Sequence, residues 1–218
     1  MFVGHFALGF AAKRVTPRVS LVVLFAAAQL ADLLWPFFLA LGLEAVRINP
    51  GNPPFTQLDF VSYPYSHSLL FLVIWGVAFG WLYRMATGDG RAFLVLAGLV
   101  VSHWVLDFVT HVPDMPLYPG GPKLGLGLWN FVPATMAIEL TMYAAGLWVY
   151  GVATRARDKT GHWAFLSFAV FLTIAYFASA FGGAPPSVVA LYISAIVGGL
   201  VLLLWAWWID RHRQAASA

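Results

Sequence analysis

The sequence predicts an all-α membrane protein, a polytopic bundle of six transmembrane helices preceded by an N-terminal half-membrane helix. Three observations carry this. Hydrophobic residues fill 61% of the 218 positions and charged residues only 10%, whereas a soluble domain carries about 25% charged residues. Several apolar runs reach roughly 20 residues, the length that crosses a hydrocarbon core of about 30 Å. Finally, the basic residues fall between these runs instead of forming one patch, so the net charge of +3 does not point to nucleic acid. Cysteine is absent, which excludes disulfides and thiolate metal ligands.

Residues 2–12 are apolar but too short to cross at about 1.5 Å per residue. They read as a half-helix dipping into the membrane, with His5 near its buried tip. No basic residue precedes the run and Lys13-Arg14 follow it, so a cleavable signal is not expected. Full spans are expected at 19–41, 66–83, 92–112, 131–151, 162–181 and 187–209. No internal repeat or low-complexity segment is evident, and 1–218 reads as one domain.

Counting Lys and Arg in the connections orients the bundle. One side holds Lys13, Arg14, Arg18, Arg84, Arg91, Arg155, Arg157, Lys159, Arg211 and Arg213; the other holds Arg47 and Lys123. Both termini are therefore expected on the cytoplasmic side. Trp148, Tyr150, Trp163, Trp205, Trp207 and Trp208 then form an inner aromatic belt, and Tyr63, Tyr65 and Trp129 an outer one. The two long outer loops are rich in turn formers, Asn49-Pro50-Gly51-Asn52-Pro53-Pro54 in one and Pro119-Gly120-Gly121-Pro122 in the other. Loops this long usually bind something or lie disordered.

The chemistry centres on Ser102-His103-Trp104-Val105-Leu106-Asp107-Phe108-Val109-Thr110-His111-Val112-Pro113-Asp114. His103, Asp107 and His111 are spaced by four, so a continuous helix puts them on one face. Counting from the cytoplasmic helix ends puts Asp32, His67, His103, Asp107 and Glu139 between roughly 17 and 24 Å up, and His5 at about 11 Å. Ionisable residues from four spans thus collect in one layer, where buried charge normally marks function. His111 and Asp114 lie farther out, as a possible site mouth.

His5, Asp32, His67, His103, Asp107 and Glu139 supply only nitrogen and oxygen ligands. Such sets suit zinc, and also manganese or iron. One or two divalent ions are expected, with the two-ion version preferred because the candidates outnumber the three protein ligands of a typical catalytic zinc. A bound metal would lower the pKa of water to about 7, with Asp107 or Glu139 as general base. No lysine or arginine lies at the depth of Asp32 and Glu139 to neutralise them. Pro36 cannot donate to the carbonyl of Asp32, so a kink and a pocket wall are expected there.

These residues carry a resemblance. Gly4-His5-Phe6-Ala7-Leu8-Gly9, then Ala31-Asp32, then Tyr65-Ser66-His67-Ser68, then Ser102-His103 with Asp107, follow one order. That order resembles a bacterial inner-membrane family of predicted membrane-bound metal-dependent hydrolases, over roughly the first half of the chain. The family pattern has Thr where this chain has Gly4 and Ser66, and Pro where it has Ala31. The resemblance implies the inner membrane, a metal and hydrolysis.

The leading expectation is a hydrolase acting on a lipid or lipid-linked substrate in the outer half of the bilayer. No arginine clamp lies near the layer, so phosphate is not specifically indicated. A transporter or permease using the same groups as a cation or proton path is the alternative; it lacks support from a repeat or from ligand residues in the inner half. In a third reading, a scaffold, His103 and Asp107 staple helices. His162 and His212 read as interfacial, Asp59 as loop, and the last two spans as scaffold.

Overall fold

A computed structural model describes residues 1–52, 55 and 57–216. Pro53 and Pro54 of the turn-rich stretch lie outside the described residues.

The chain opens with α1 (Val3–Val15), thirteen residues long and buried on nearly every side. In lipid, apolar side chains gain little by leaving the solvent, so close packing has to hold helices together. Gly146 shows how close: a Cβ there would stand 2.6 Å from the carbonyl oxygen of Ala7, so α1 meets its neighbour backbone to backbone.

The expected first span is two helices, α2 (Leu21–Ala28) and α3 (Leu30–Ala40), bent by 59°. The kink expected at Pro36 lies instead at Gln29, while Pro36 sits inside α3. Gln29 leaves helical geometry (φ −104°, ψ 10°), which frees the preceding carbonyl, that of Ala28, for use elsewhere.

Antiparallel strands β1 (Ala45–Ile48) and β2 (Leu58–Ser62) follow, then the single turn α4 (Pro64–His67). Ser68 is extended and its Oγ accepts Phe71 N–H at 3.3 Å, so the second span, α5 (Leu69–Thr87), starts three residues later than expected. Asp89 caps α6 (Gly90–Thr110) by accepting from Arg91 N and Ala92 N.

Beyond α6, β3 (Met115–Pro116) pairs with β4 (Lys123–Leu124). The helix α7 (Val132–Ala153), strand β5 (Thr154–Ala156), helices α8 (Lys159–Phe181) and α9 (Val188–His212), and strand β6 (Arg213–Ala215) complete the order. β5 pairs with β6 and fastens the end of α7 to that of α9. The three ladders were not expected from an all-α reading; each is short and confined to connections, so the fold stays helical.

Among the described residues, α5 to α9 are long and apolar enough to cross a membrane, and the bent α2–α3 pair passes the same measure as one unit. The chain is a multi-pass helical membrane protein. Its two ends differ. At one, Lys13, counted above as a connection residue, is buried, donates to Val19 O at 2.6 Å and lies 3.7 Å from Asp210. Asp210 accepts Leu21 N–H at 2.6 Å, so one carboxylate ties α9 to the start of α2. At the other end the long connections meet, with Tyr63 O–H donating to Asp114 at 2.8 Å.

Candidate metal centre

Five of the six expected ligand residues come together between α1, α3, α4 and α6. His5 is presented by the first turns of α1, and Asp32 by the first turn of α3, where a negative charge complements the helix dipole. His67 ends α4, and His103 and Asp107 stand one turn apart on α6. Two overlapping groups have ligand atoms all within 4.8 Å of one another: His5, His103 and Asp107; and Asp32, His67 and His103.

The hydrogen bonds behind these imidazoles assign their protons. His103 Nδ1 lies 2.9 Å from the Ala28 carbonyl, which can only accept, so Nδ1 carries a hydrogen and, in the neutral ring, Nε2 is a lone pair. The acceptor is the carbonyl freed by the bend at Gln29. His67 Nδ1 lies 2.7 Å from Ser66 Oγ, itself 2.7 Å from Glu44 Oε2. Glu44 Oε1 also accepts Tyr65 N–H and Ser66 N–H, both at 2.8 Å, and the hydroxyl donates to Oε2. The hydroxyl then offers His67 only lone pairs, placing a hydrogen on Nδ1 and, in the neutral ring, leaving Nε2 bare. Histidines held through Nδ1–H by a carbonyl or a carboxylate-linked group, with Nε2 free, are oriented as metal ligands are.

The two bare nitrogens face carboxylates. His67 Nε2 and His103 Nε2 lie 3.5 Å and 3.8 Å from Asp32 Oδ1. Asp107 Oδ2 lies 3.1 Å from His103 Nε2 and 4.0 Å from His67 Nε2. His103 Nε2 is buried without a hydrogen-bond partner. Lone pairs crowding carboxylate oxygens repel unless a cation lies among them; the Met1 ammonium pairs with Asp107, but no Lys or Arg among the described residues pairs with Asp32. Ligands bound to one zinc at 2.0–2.1 Å stand about 3.3 Å apart in a tetrahedron, close to the 3.5 Å and 3.8 Å between Asp32 Oδ1 and the two Nε2 atoms. The donor set fits a divalent cation.

His103 belongs to both groups but has only one free nitrogen, so the two groups cannot be filled independently. This favours one ion over the two preferred on candidate number. His5 lies flat against His103, ring centroids 3.7 Å apart, and its Nε2 is 3.1 Å from Asp107 Oδ1. The Met1 nitrogen contacts the same Oδ1.

Glu139 is not in either group. Its Oε2 accepts Phe2 N–H at 2.9 Å, which places it under the start of α1, with Oε1 buried and unpartnered. His111, expected at the site's mouth, is in neither group; it is the C-cap of α6, its N–H donating to the Asp107 carbonyl at 2.7 Å. It bonds Asp114 at 2.9 Å and packs on Trp129 beside a separate cavity of about 330 Å³ near the long connections. Tyr63 stands between this cavity and His67, their rings 5.2 Å apart. Burial, then the adjacent Asp114 carboxylate, hold its hydroxyl pKa well above the ordinary value, so it remains a proton donor.

Two participants escaped the sequence reading. Glu44 lies 22 residues before its partner Ser66, and nothing local marks the pairing; the Ala28 carbonyl is exposed by a bend with no glycine or proline at it. Asp32 alone among the set is open, its side chain 49% exposed against 5% or less for His67, His103 and Asp107. Comparisons with protein-family models, with curated proteins and with solved structures found no match to this chain.

Proposed function

We propose that this chain is an integral-membrane metal-dependent hydrolase of the bacterial inner-membrane kind its motifs resemble. In this reading the bent α2–α3 pair and α5 to α9 are six spans, α1 is the half-membrane helix, and the site opens toward the outer face. One divalent ion, zinc by preference, would be held by Asp32, His67 and His103. The observation that carries the reading is the pair of histidines whose Nδ1–H groups are committed to Ala28 and to Ser66–Glu44, leaving Nε2 lone pairs aimed at Asp32.

Bound there, the metal supplies a Lewis acid and a water with a pKa near about 7. The chain does the rest. Asp107, held by His5 on one oxygen and beside His103 on the other, accepts the proton of the attacking water. Glu139 fixes the first turn of α1 and hence His5. Asp32 is the open edge through which an ester or amide of a lipid or lipid-linked substrate reaches the site.

The test is elemental analysis of protein purified without chelator, wild type beside His103→Ala and Asp32→Asn. Near-stoichiometric metal in the wild type, lost in both variants, is the expected result. A folded, metal-free wild type would sink the assignment.

A further inference from the structure

A second cavity, of about 590 Å³, lies beside the centre between the α2–α3 bend and helices α8 and α9. It is within the volume range of ligand pockets. Its lining is apolar, led by Phe25, Phe171 and Leu202, except where Asp32, Gln29 and Ser194 meet it. Ser194 belongs to the part of α9 nearest the long connections, while Leu202 lies toward the basic end, so polarity is confined to one end of the groove.

Gln29 is 7% exposed and lines the groove at the α2–α3 bend. Asp32 joins the groove to the candidate centre, being both a member of the Asp32–His67–His103 group and part of this lining. The wall formed by α9 faces outward, since none of its spanning window is buried. A ligand entering here comes sideways from the bilayer.

We propose that this groove holds one hydrocarbon chain of an outer-leaflet lipid, with the lipid's polar linkage at Gln29 and Asp32. The head assignment rests on the hydrolase reading above; the chain site does not. The polar end lies toward the long connections and the apolar end away from them, which is the direction an outer-leaflet lipid runs. The lined stretch of α9, Ser194 to Leu203, is about 13 Å long, enough for a substantial part of an acyl chain.

Gly198 provides the test. It lines the groove, and a Cβ built on it meets nothing within 4 Å, so a large side chain would enter the groove without displacing its walls. Gly98 on α6 is open in the same way and lies outside the groove, so it serves as the control. The protein is reconstituted in phosphatidylethanolamine vesicles containing a phosphatidylglycerol whose acyl chain carries a diazirine. After illumination, adducts are mapped by mass spectrometry and metal is measured on the same samples.

We expect adducts concentrated on Phe171 and on Ser194 to Leu203, reduced at least about tenfold in Gly198→Phe and unchanged in Gly98→Phe. Ala195→Phe, one turn away on the same face of α9, should reproduce the loss if Gly198→Phe fails to fold. Even labelling over all outward apolar faces, or labelling indifferent to both groove variants, overturns the proposal. So does a protein–protein cross-link through the groove, which would make its occupant a second copy. Metal present without groove labelling defeats the chain site alone; groove labelling in metal-free protein defeats the hydrolase reading and leaves the chain site standing.

Discussion

At the residue scale, the centre depends on groups that never reach the ion. Ser66 relays the Glu44 carboxylate to His67 Nδ1. Removing it should free the imidazole to rotate and change tautomer. Ser66→Ala is therefore expected to weaken zinc binding about 10–100-fold, the usual cost of losing such a partner, as measured by competition with a chromophoric chelator. Equal affinity in the variant would show that the relay orients nothing. The spacing of His103 and Asp107 was legible in the sequence because four residues make one helical turn. The same arithmetic says less of His111, the C-cap of α6, whose ring turns to Asp114 and Trp129.

At the element scale, the contact of α1 with α7 is set by Gly146, which brings Ala7 against it. Gly146→Leu would drive a side chain into the α1 backbone, and overpacking of this kind costs about 1–3 kcal/mol. A lower thermal midpoint in detergent is expected, together with reduced metal retention, because α1 carries His5; an unshifted midpoint would contradict the packing. A second element-scale prediction concerns the α7–α8 connection. His212 Nδ1–H, then Gly161 N–H, donate to Asp158 and hold its carboxyl below the ordinary carboxylate range. A depressed folded pKa gives stability present above the unfolded value of about 3.9 and lost as pH falls through the folded value. Wild type should melt above Asp158→Ala at neutral pH, and the gap should close in acid. A gap constant across that range would show that the ionised pair contributes nothing.

At the scale of the whole molecule, charge and loop length divide two ends, and the proposed orientation puts the long connections outside. The chain has no cysteine, so single cysteines can report sidedness without background. In intact cells Tyr118→Cys should react with a membrane-impermeant maleimide, and Arg157→Cys only after permeabilisation. The reverse pattern would invert the bundle and place the site on the inner side. Both side chains are exposed, so access follows from sidedness and not from burial.

The sequence by itself determined the helical membrane class and which residues carry ligand chemistry. These are properties of composition and of short-range periodicity, and both are local. Tertiary structure alone decided where the first span bends, that Ala28 and Glu44 stand behind the two histidines, that Glu139 turns to the start of α1, and that Asp32 opens onto an apolar groove. Each of these joins groups far apart in the chain or depends on a packing gap. Hydropathy and spacing do not encode such relations, because they arise only when helices from different parts of the chain are brought into contact.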